Sequence, residues 1–349
     1  MNPDFFNNIH EIIFTTNAEN EEIALNEIKK LSPSAKLIKR FKKGICLVNI
    51  DESFTQFYDK LNGKNLIFIR HIFPVHSITN HHNSTDVIEN FVVNEFLDSE
   101  MSDVSDKSKS FSVQCRVFSD ESDLTPAEIS KNISDLIISQ GYTLNVSEPY
   151  QIISVLLDNS DFYIGYSLSK HNISDWNGGN IKFAKDENVI SRAEFKLLEA
   201  IVSFDLKKYL KNTAVDLGAS PGGFTKILCD YCDKVYAVDP AVLDERVLKN
   251  KKVIHKKMTS QQFFRENNEQ FNCITNDMKM DMYDSIDIII DSHEYLEKDG
   301  IIIMTLKLPK NNQMKKVNKG LEILNKKYTI LYARQLFHNR SEITVVLTK

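Results

Sequence analysis

Residues 214–225 read Ala-Val-Asp-Leu-Gly-Ala-Ser-Pro-Gly-Gly-Phe-Thr, and few folds can hold such a stretch. Ala214 to Leu217 is apolar but for Asp216, the pattern of a short parallel strand buried on both faces. Gly218 ends the strand. Pro221 suits the first turn of a helix, where its missing N–H would have no partner anyway. Gly222 and Gly223 leave that turn without side chains, so a ligand can approach the backbone. Strand, tight glycine turn and helix, in that order, are how doubly wound α/β folds build a ligand crevice at the carboxyl ends of their strands. Two common glycine loops do not fit. Phe224-Thr225 follows the second glycine where a P-loop needs Lys and Ser or Thr, and the G-x-G-x-x-G fingerprint is absent. The next strand, Lys234 to Asp239, ends in a carboxylate able to accept both hydroxyls of a ribose.

The pattern continues to the end of the chain. Strands are predicted near 234–239, 253–257, 271–277, 300–308, 329–337 and 343–348, with the clearest helices near 283–296 and 313–327. Upstream, Ser191-Arg-Ala-Glu194 reads as a capping box that opens a helix. A repeated βα unit implies an α/β fold with a doubly wound, mostly parallel sheet and right-handed crossovers. The short link between the last two strands makes them an antiparallel pair.

The first half reads differently. Strand signals at 9–16, 35–50 (split at Gly44) and 66–74 alternate with helical spacing at 20–31 and 54–61. This βαββαβ order predicts a small ferredoxin-like α+β unit. Lys36, Lys39, Arg40, Lys42 and Lys43 form a basic cluster on its hairpin, either a phosphate contact or a solvated turn. A helix at 84–96, an exposed Ser/Asp/Lys-rich loop at 97–109 and a strand at 111–117 follow. Thr125-Pro-Ala-Glu128 then caps a helix, and two strands, 150–157 and 162–168, meet at a tight turn. The expected domains are 1–80, 81–175 and 176–349.

Composition excludes several classes. No run of about 18 apolar residues exists, so no membrane span is expected, and the first residues lack the basic-then-apolar order of a signal peptide. The five cysteines are scattered, which suits a reducing, cytoplasmic setting. Cys229 and Cys232 have C-x-x-C spacing on a helix with no second pair nearby, which favours packing over a metal or redox site. The net charge is −5. Yet residues 180–349 hold 28 Lys and Arg against 23 Asp and Glu, and the rest of the chain 15 against 25, so the basic excess sits with the half that carries the glycine turn.

Four ionisable residues stand where they should converge. Lys196 is on the helix before the first strand, Asp277 ends a strand, Lys307 ends the apolar run Ile301 to Leu306, and Glu342 begins the final strand. Carboxyl ends of neighbouring parallel strands share one crevice. Burial and a neighbouring Lys196 would lower the value of Lys307, with Asp277 and Glu342 opposing, and a lysine so placed can take a proton from a weakly acidic hydroxyl. No metal-ligand cluster appears.

Asp216, the glycine turn and Asp239 together resemble the S-adenosylmethionine site of class I methyltransferases. The Lys196, Asp277, Lys307, Glu342 set, with Ser191 to Lys196 upstream, resembles FtsJ-type RNA ribose 2′-O-methyltransferases. Asp175-Trp176, Ile181 to Phe183, Leu306 to Pro309, Ala333 to His338 and Arg340 to Val345 are similar to the RlmM family. The match is specific over about 175–349 and architectural before that. The block at 81–175 resembles a THUMP domain, a module that binds structured RNA.

The resemblance implies a Rossmann-like methyltransferase that modifies the ribose of a cytidine in 23S ribosomal RNA, with S-adenosylmethionine as cofactor, RNA as partner, and neither metal nor membrane. It makes Lys307 the proton acceptor and Gly218, Ser220, Pro221, Gly222 and Gly223 the cofactor loop. Asp239 becomes the ribose-binding carboxylate and Asp277 a residue shared by both sites, and Ala193 approaches the cofactor. The family's acid near the adenine is missing: Thr259 stands in its place. Another RNA, such as transfer RNA, and an inactive RNA-binding protein of the same fold are the competing readings, and oligomeric state is open.

Overall fold

The computed structural model describes residues 8–42, 44–61, 64, 66–80, 85–98, 105–118, 125–159, 161–184 and 187–349. Lys43 of the basic cluster, residues 99–104 of the Ser/Asp/Lys-rich loop and the first seven residues lie outside them. The chain divides into two compact units, Met1–Ile181 and Lys182–Lys349.

The first unit holds two sheets. Strands β1 (Glu11–Thr15), β2 (Lys36–Arg40), β3 (Ile45–Asn49) and β4 (His71–Pro74), with helices α1 (Glu21–Leu31) and α2 (Phe54–Leu61), give the order β2-β3-β1-β4, antiparallel throughout. This is the arrangement of a ferredoxin-like unit. The strand expected at 66–74 begins only at His71. Before it, the N–H groups of Ile67 and Phe68 donate to the buried carboxylate of Glu27 at 2.9 Å each, so that backbone bonds to a side chain instead of a neighbouring strand.

The second sheet follows from β5 (Ser77–Asn80), α3 (Thr85–Asp98), β6 (Ser110–Val117), α4 (Pro126–Ser139), β7 (Thr143–Leu144), β8 (Gln151–Asp158) and β9 (Asp161–Leu168), in the order β5-β9-β8-β6-β7. The Thr125–Glu128 capping box forms. Lys39 is ion-paired to Asp158 and Asp161, and Arg40 to Glu21 and Glu22, so two members of the basic cluster are occupied within the unit.

The second unit is a seven-stranded sheet. Helix α5 (Ala193–Ser203) precedes β10 (Thr213–Leu217), α6 (Gly223–Tyr231), β11 (Lys234–Val238), α7 (Glu245–Leu248), β12 (Val253–Lys256), α8 (Ser260–Glu266), β13 (Phe271–Asn276), α9 (Met282–Asp291), β14 (Leu296–Lys307), α10 (Gln313–Leu324), β15 (Thr329–Arg334) and β16 (Glu342–Thr348). The order is β12-β11-β10-β13-β14-β16-β15, and β16 runs opposite to the other six strands of this sheet. This is the doubly wound Rossmann-like sheet with a reversed last strand. The strands are apolar runs because helices cover both faces. Leu197 and Ile201 of α5 pack with Leu228 of α6 against Ala214 and Ile303. Each of these leucines and isoleucines contributes roughly 1.5–3 kcal/mol by leaving water.

Cys229 and Cys232 are buried free thiols in this packing. Among the described residues, no helix is long and apolar enough to cross a membrane, and no group of three or more His, Cys, Asp or Glu could hold a metal.

Candidate active site

Pairing brings the ends of three parallel strands level. Leu217 lies opposite Asn276, and Asn276 opposite Met304. The residues just beyond, Gly218 to Gly222, Asp277, and Thr305 to Lys307, therefore share one edge of the sheet. β16 starts at that edge, so Glu342 is the register partner of Lys307.

Lys196 completes a closed ring of charges. Its Nζ donates to both oxygens of Asp277 at 3.0 Å and lies 2.7 Å from Glu342 Oε1. Lys307 Nζ donates to Glu342 Oε2 at 2.6 Å and to Asp277 Oδ1 at 3.2 Å. Two cations and two anions alternate, and each touches both opposite partners. The side chain of Lys307 is 23% exposed, against 11%, 14% and 8% for Lys196, Asp277 and Glu342, so Lys307 is the member an incoming molecule meets.

The direction expected for Lys307 is reversed. Burial pulls its value down, but the charges and hydrogen bonds of Asp277 and Glu342 outweigh burial and hold the ammonium above its ordinary value. Glu342 is the mirror case. Burial raises it, and hydrogen bonds from Lys196 and Lys307 bring it below the usual glutamate value.

Thr305 belongs to the same cluster and escaped the sequence reading. Its hydroxyl donates to Asp277 Oδ1 at 2.6 Å and accepts from Lys307 at 3.3 Å. The signal was there, because residues two apart on a strand share a face. Asp216 is a second buried carboxyl, held by the hydroxyls of Thr225 at 2.6 Å and Thr275 at 2.8 Å. Burial pushes it up to about 7 despite those bonds, with the charge of Asp277 adding to the rise.

The glycine turn is tied to the protein more tightly than expected. Helix α6 begins at Gly223 with Gly222 as its N-cap, so Pro221 precedes the helix instead of opening it. Gly218 and Gly222 have φ of 71° and 115°, the left-handed region that disfavours side chains. A Cβ on Gly218 would stand 2.1 Å from Met278 Cγ, and one on Gly222 2.9 Å from Val247 Cγ2. A Cβ on Gly223 would stand 2.3 Å from Ser191 Oγ and 3.3 Å from the Ala193 methyl. These glycines are bare because neighbouring segments press on them.

Asp239, half-buried just past β11, accepts the N–H groups of Ser220 at 3.0 Å and Ala241 at 2.8 Å on separate oxygens. Each oxygen keeps a lone pair, so the carboxylate can still accept from a diol, and this pair of acceptors fits the nucleoside part of S-adenosylmethionine. Thr259 is the N-cap of α8 in a capping box with Gln262. Its hydroxyl thus starts a helix, a role that explains a threonine there without a ligand.

Helix α5 frames the site. The Glu194 carboxylate accepts the N–H of Ser191 and pairs with Lys226, while Ser191 Oγ accepts from Ala193 and not, as a full capping box requires, from Glu194. One turn on, buried Glu199 accepts the N–H groups of Phe337 and His338 at 2.7 Å each. The helix therefore holds the turn before it and the β15–β16 loop while Lys196 enters the ring.

Residues 189–332 match the model of the FtsJ-like methyltransferase family. An uncharacterized protein of Methanocaldococcus jannaschii, MJ1257, is 32% identical over 184 residues, 49% of this chain and 51% of that one. The ribosomal RNA large subunit methyltransferase M of Sodalis glossinidius is 29% identical over 52% of each chain. The chain spans about half the length of the curated relatives it matches. The crystal structure of TrmN from Thermus thermophilus, 13% identical, covers 97% of this chain and all of its own with a TM-score of 0.40, a likeness too slight to carry an argument.

Proposed function

We propose that this chain, whose second unit carries an FtsJ-like methyltransferase domain, methylates the 2′-hydroxyl of an RNA ribose, with a cytidine of 23S ribosomal RNA as the substrate. The closed ring of Lys196, Asp277, Lys307 and Glu342 carries this reading. S-adenosylmethionine would supply an electrophilic methyl group, held by Gly218, Ser220 to Gly223, Asp239 and Asp277. A sugar hydroxyl is a poor nucleophile and needs a positioned proton acceptor. Lys307 is the most accessible member of the ring and takes that proton. Asp277, Glu342 and Thr305 fix its direction, and Lys196 balances the two carboxylates. Any further cation at this edge works against those carboxylates and moves Lys307 back toward the neutral amine. Holding both reactants in line supplies much of the remaining rate.

Within this reading, residues 1–80 are a ferredoxin-like domain, 81–175 a THUMP-like RNA-binding domain and 176–349 the methyltransferase. The two sheets of the first unit support the first two assignments. The test is incubation with labelled S-adenosylmethionine and unmodified ribosomal and transfer RNA, followed by mapping of ribose methylation. Label in a base, or in no RNA, overturns the reading; label confined to transfer RNA overturns the substrate.

A further inference from the structure

Three aromatic rings meet between helix α5, the β15–β16 loop and the segment before α5, and the chemistry of the charged ring makes no use of them. Phe195 immediately precedes Lys196 on α5, His338 lies in the loop four residues before Glu342, and Phe183 comes from the segment that begins the second unit. Their centroids stand 6.1, 5.6 and 5.4 Å apart, and their planes are inclined by 12°, 28° and 26°. All three are half-buried. Aromatic pairs meet either offset-stacked, as Phe204 and Tyr332 do in this unit at 9°, or edge to face, as Tyr236 and Phe271 do at 79°. At these separations near-parallel rings lie in an offset stack, and because all three are half-buried the stack can be extended by a further flat ring.

The surroundings suit an anionic polymer. Lys182, Arg192 and Arg340 are exposed around the rings. Arg192 Nη2 reaches the His338 carbonyl at 3.5 Å, which places that guanidinium at the rim. The loop under His338 is fixed by the two bonds to Glu199, so the surface is preformed.

We propose that Phe183, Phe195 and His338 form a stacking platform for one unpaired RNA nucleobase, with the flanking phosphates met by Lys182, Arg192 and Arg340. The proposal rests on the RNA-modifying reading and names a subsite within it. Bases freed from a helix stack on aromatic rings whatever their identity, because every base has a π face, and adjacent cations hold the backbone. A base stacked here is gripped by the same helix and the same hairpin that carry Lys196 and Glu342.

The probe is a short single-stranded RNA carrying one 2-aminopurine, whose fluorescence is quenched on stacking, titrated with the full chain. The wild type quenches it. Phe183→Leu abolishes the quenching and weakens binding about 5- to 100-fold. Phe183→Tyr restores both, and S-adenosylmethionine binding, read by calorimetry, is unchanged in either variant. No quenching by the wild type, or wild-type quenching and affinity in Phe183→Leu, overturns the platform. Loss in Phe183→Tyr equal to that in Phe183→Leu overturns it too, since the ring would then serve packing alone. Quenching by a wild-type chain that transfers no methyl group supports the platform while overturning the catalytic reading.

Discussion

Lys307 and Glu342 are register partners across β14 and β16, and the lysine donates to the glutamate at 2.6 Å. The base is thus anchored to the reversed strand of the second unit's sheet. Lys307→Ala should lower single-turnover methyl transfer by about 10²–10⁴ while leaving cofactor binding intact. Lys307→Arg should fail as well, because a guanidinium keeps its proton at any working pH. Since the ammonium is held above its ordinary value, wild-type rates should still climb between about pH 7 and pH 9. Near wild-type turnover in Lys307→Arg would make the lysine a placed charge and not a base.

Asp216 gives a second pH signature. Its folded value, about 7, is raised from 3.8, so the folded state binds the proton more tightly than the unfolded chain. Its contribution to stability is therefore full below 3.8 and is lost as pH rises through about 7. Linkage puts that loss at about 4 kcal/mol. Asp216→Asn should flatten this part of the stability curve, measured by urea unfolding at several pH values. Parallel curves for the two proteins would show that Thr225 and Thr275 keep the carboxylate ionised.

Gly222→Ala should destabilise the second unit by about 1–3 kcal/mol, since an alanine must adopt φ of 115° and press on Val247. A Val247→Ala background should recover the contact part and leave the backbone strain. Thermal melts of the single and double variants decide this, and full recovery would mean that the strain is negligible.

Glu199→Ala should leave the N–H groups of Phe337 and His338 without this acceptor, at a cost of about 1–3 kcal/mol in all, since both donors are only half-buried. Turnover should fall with it, because the loosened loop leads into Glu342. Hydrogen exchange at 337 and 338 is the direct measure, and unchanged protection there would rule out the anchor.

The four members of the charged ring were legible because each stands at the end of a predicted element, and parallel strands bring such ends together. Thr305 sat in the same pattern and was passed over. What stayed hidden depends on distance between remote segments. Whether Lys307 rises or falls is a contest between burial and two carboxylates 2.6 and 3.2 Å away, and no spacing along the chain states those lengths. The glycines looked like room for a ligand, because Met278, Val247 and Ser191 come from elsewhere in the sequence. The missing strand at 66–70 has the same origin, a glutamate some 40 residues earlier that claims its backbone.

Helix α5 behaves as one mechanical part. Glu194, Phe195, Lys196 and Glu199 each grip a different segment, and all four are indexed by the same screw. Successive residues advance about 1.5 Å and turn about 100°. A single residue inserted between Lys196 and Glu199 would swing Glu199 about a quarter-turn away from residues 337–338 while Lys196 kept its place. The helix acts as a fixed ruler between the glycine turn and the final hairpin.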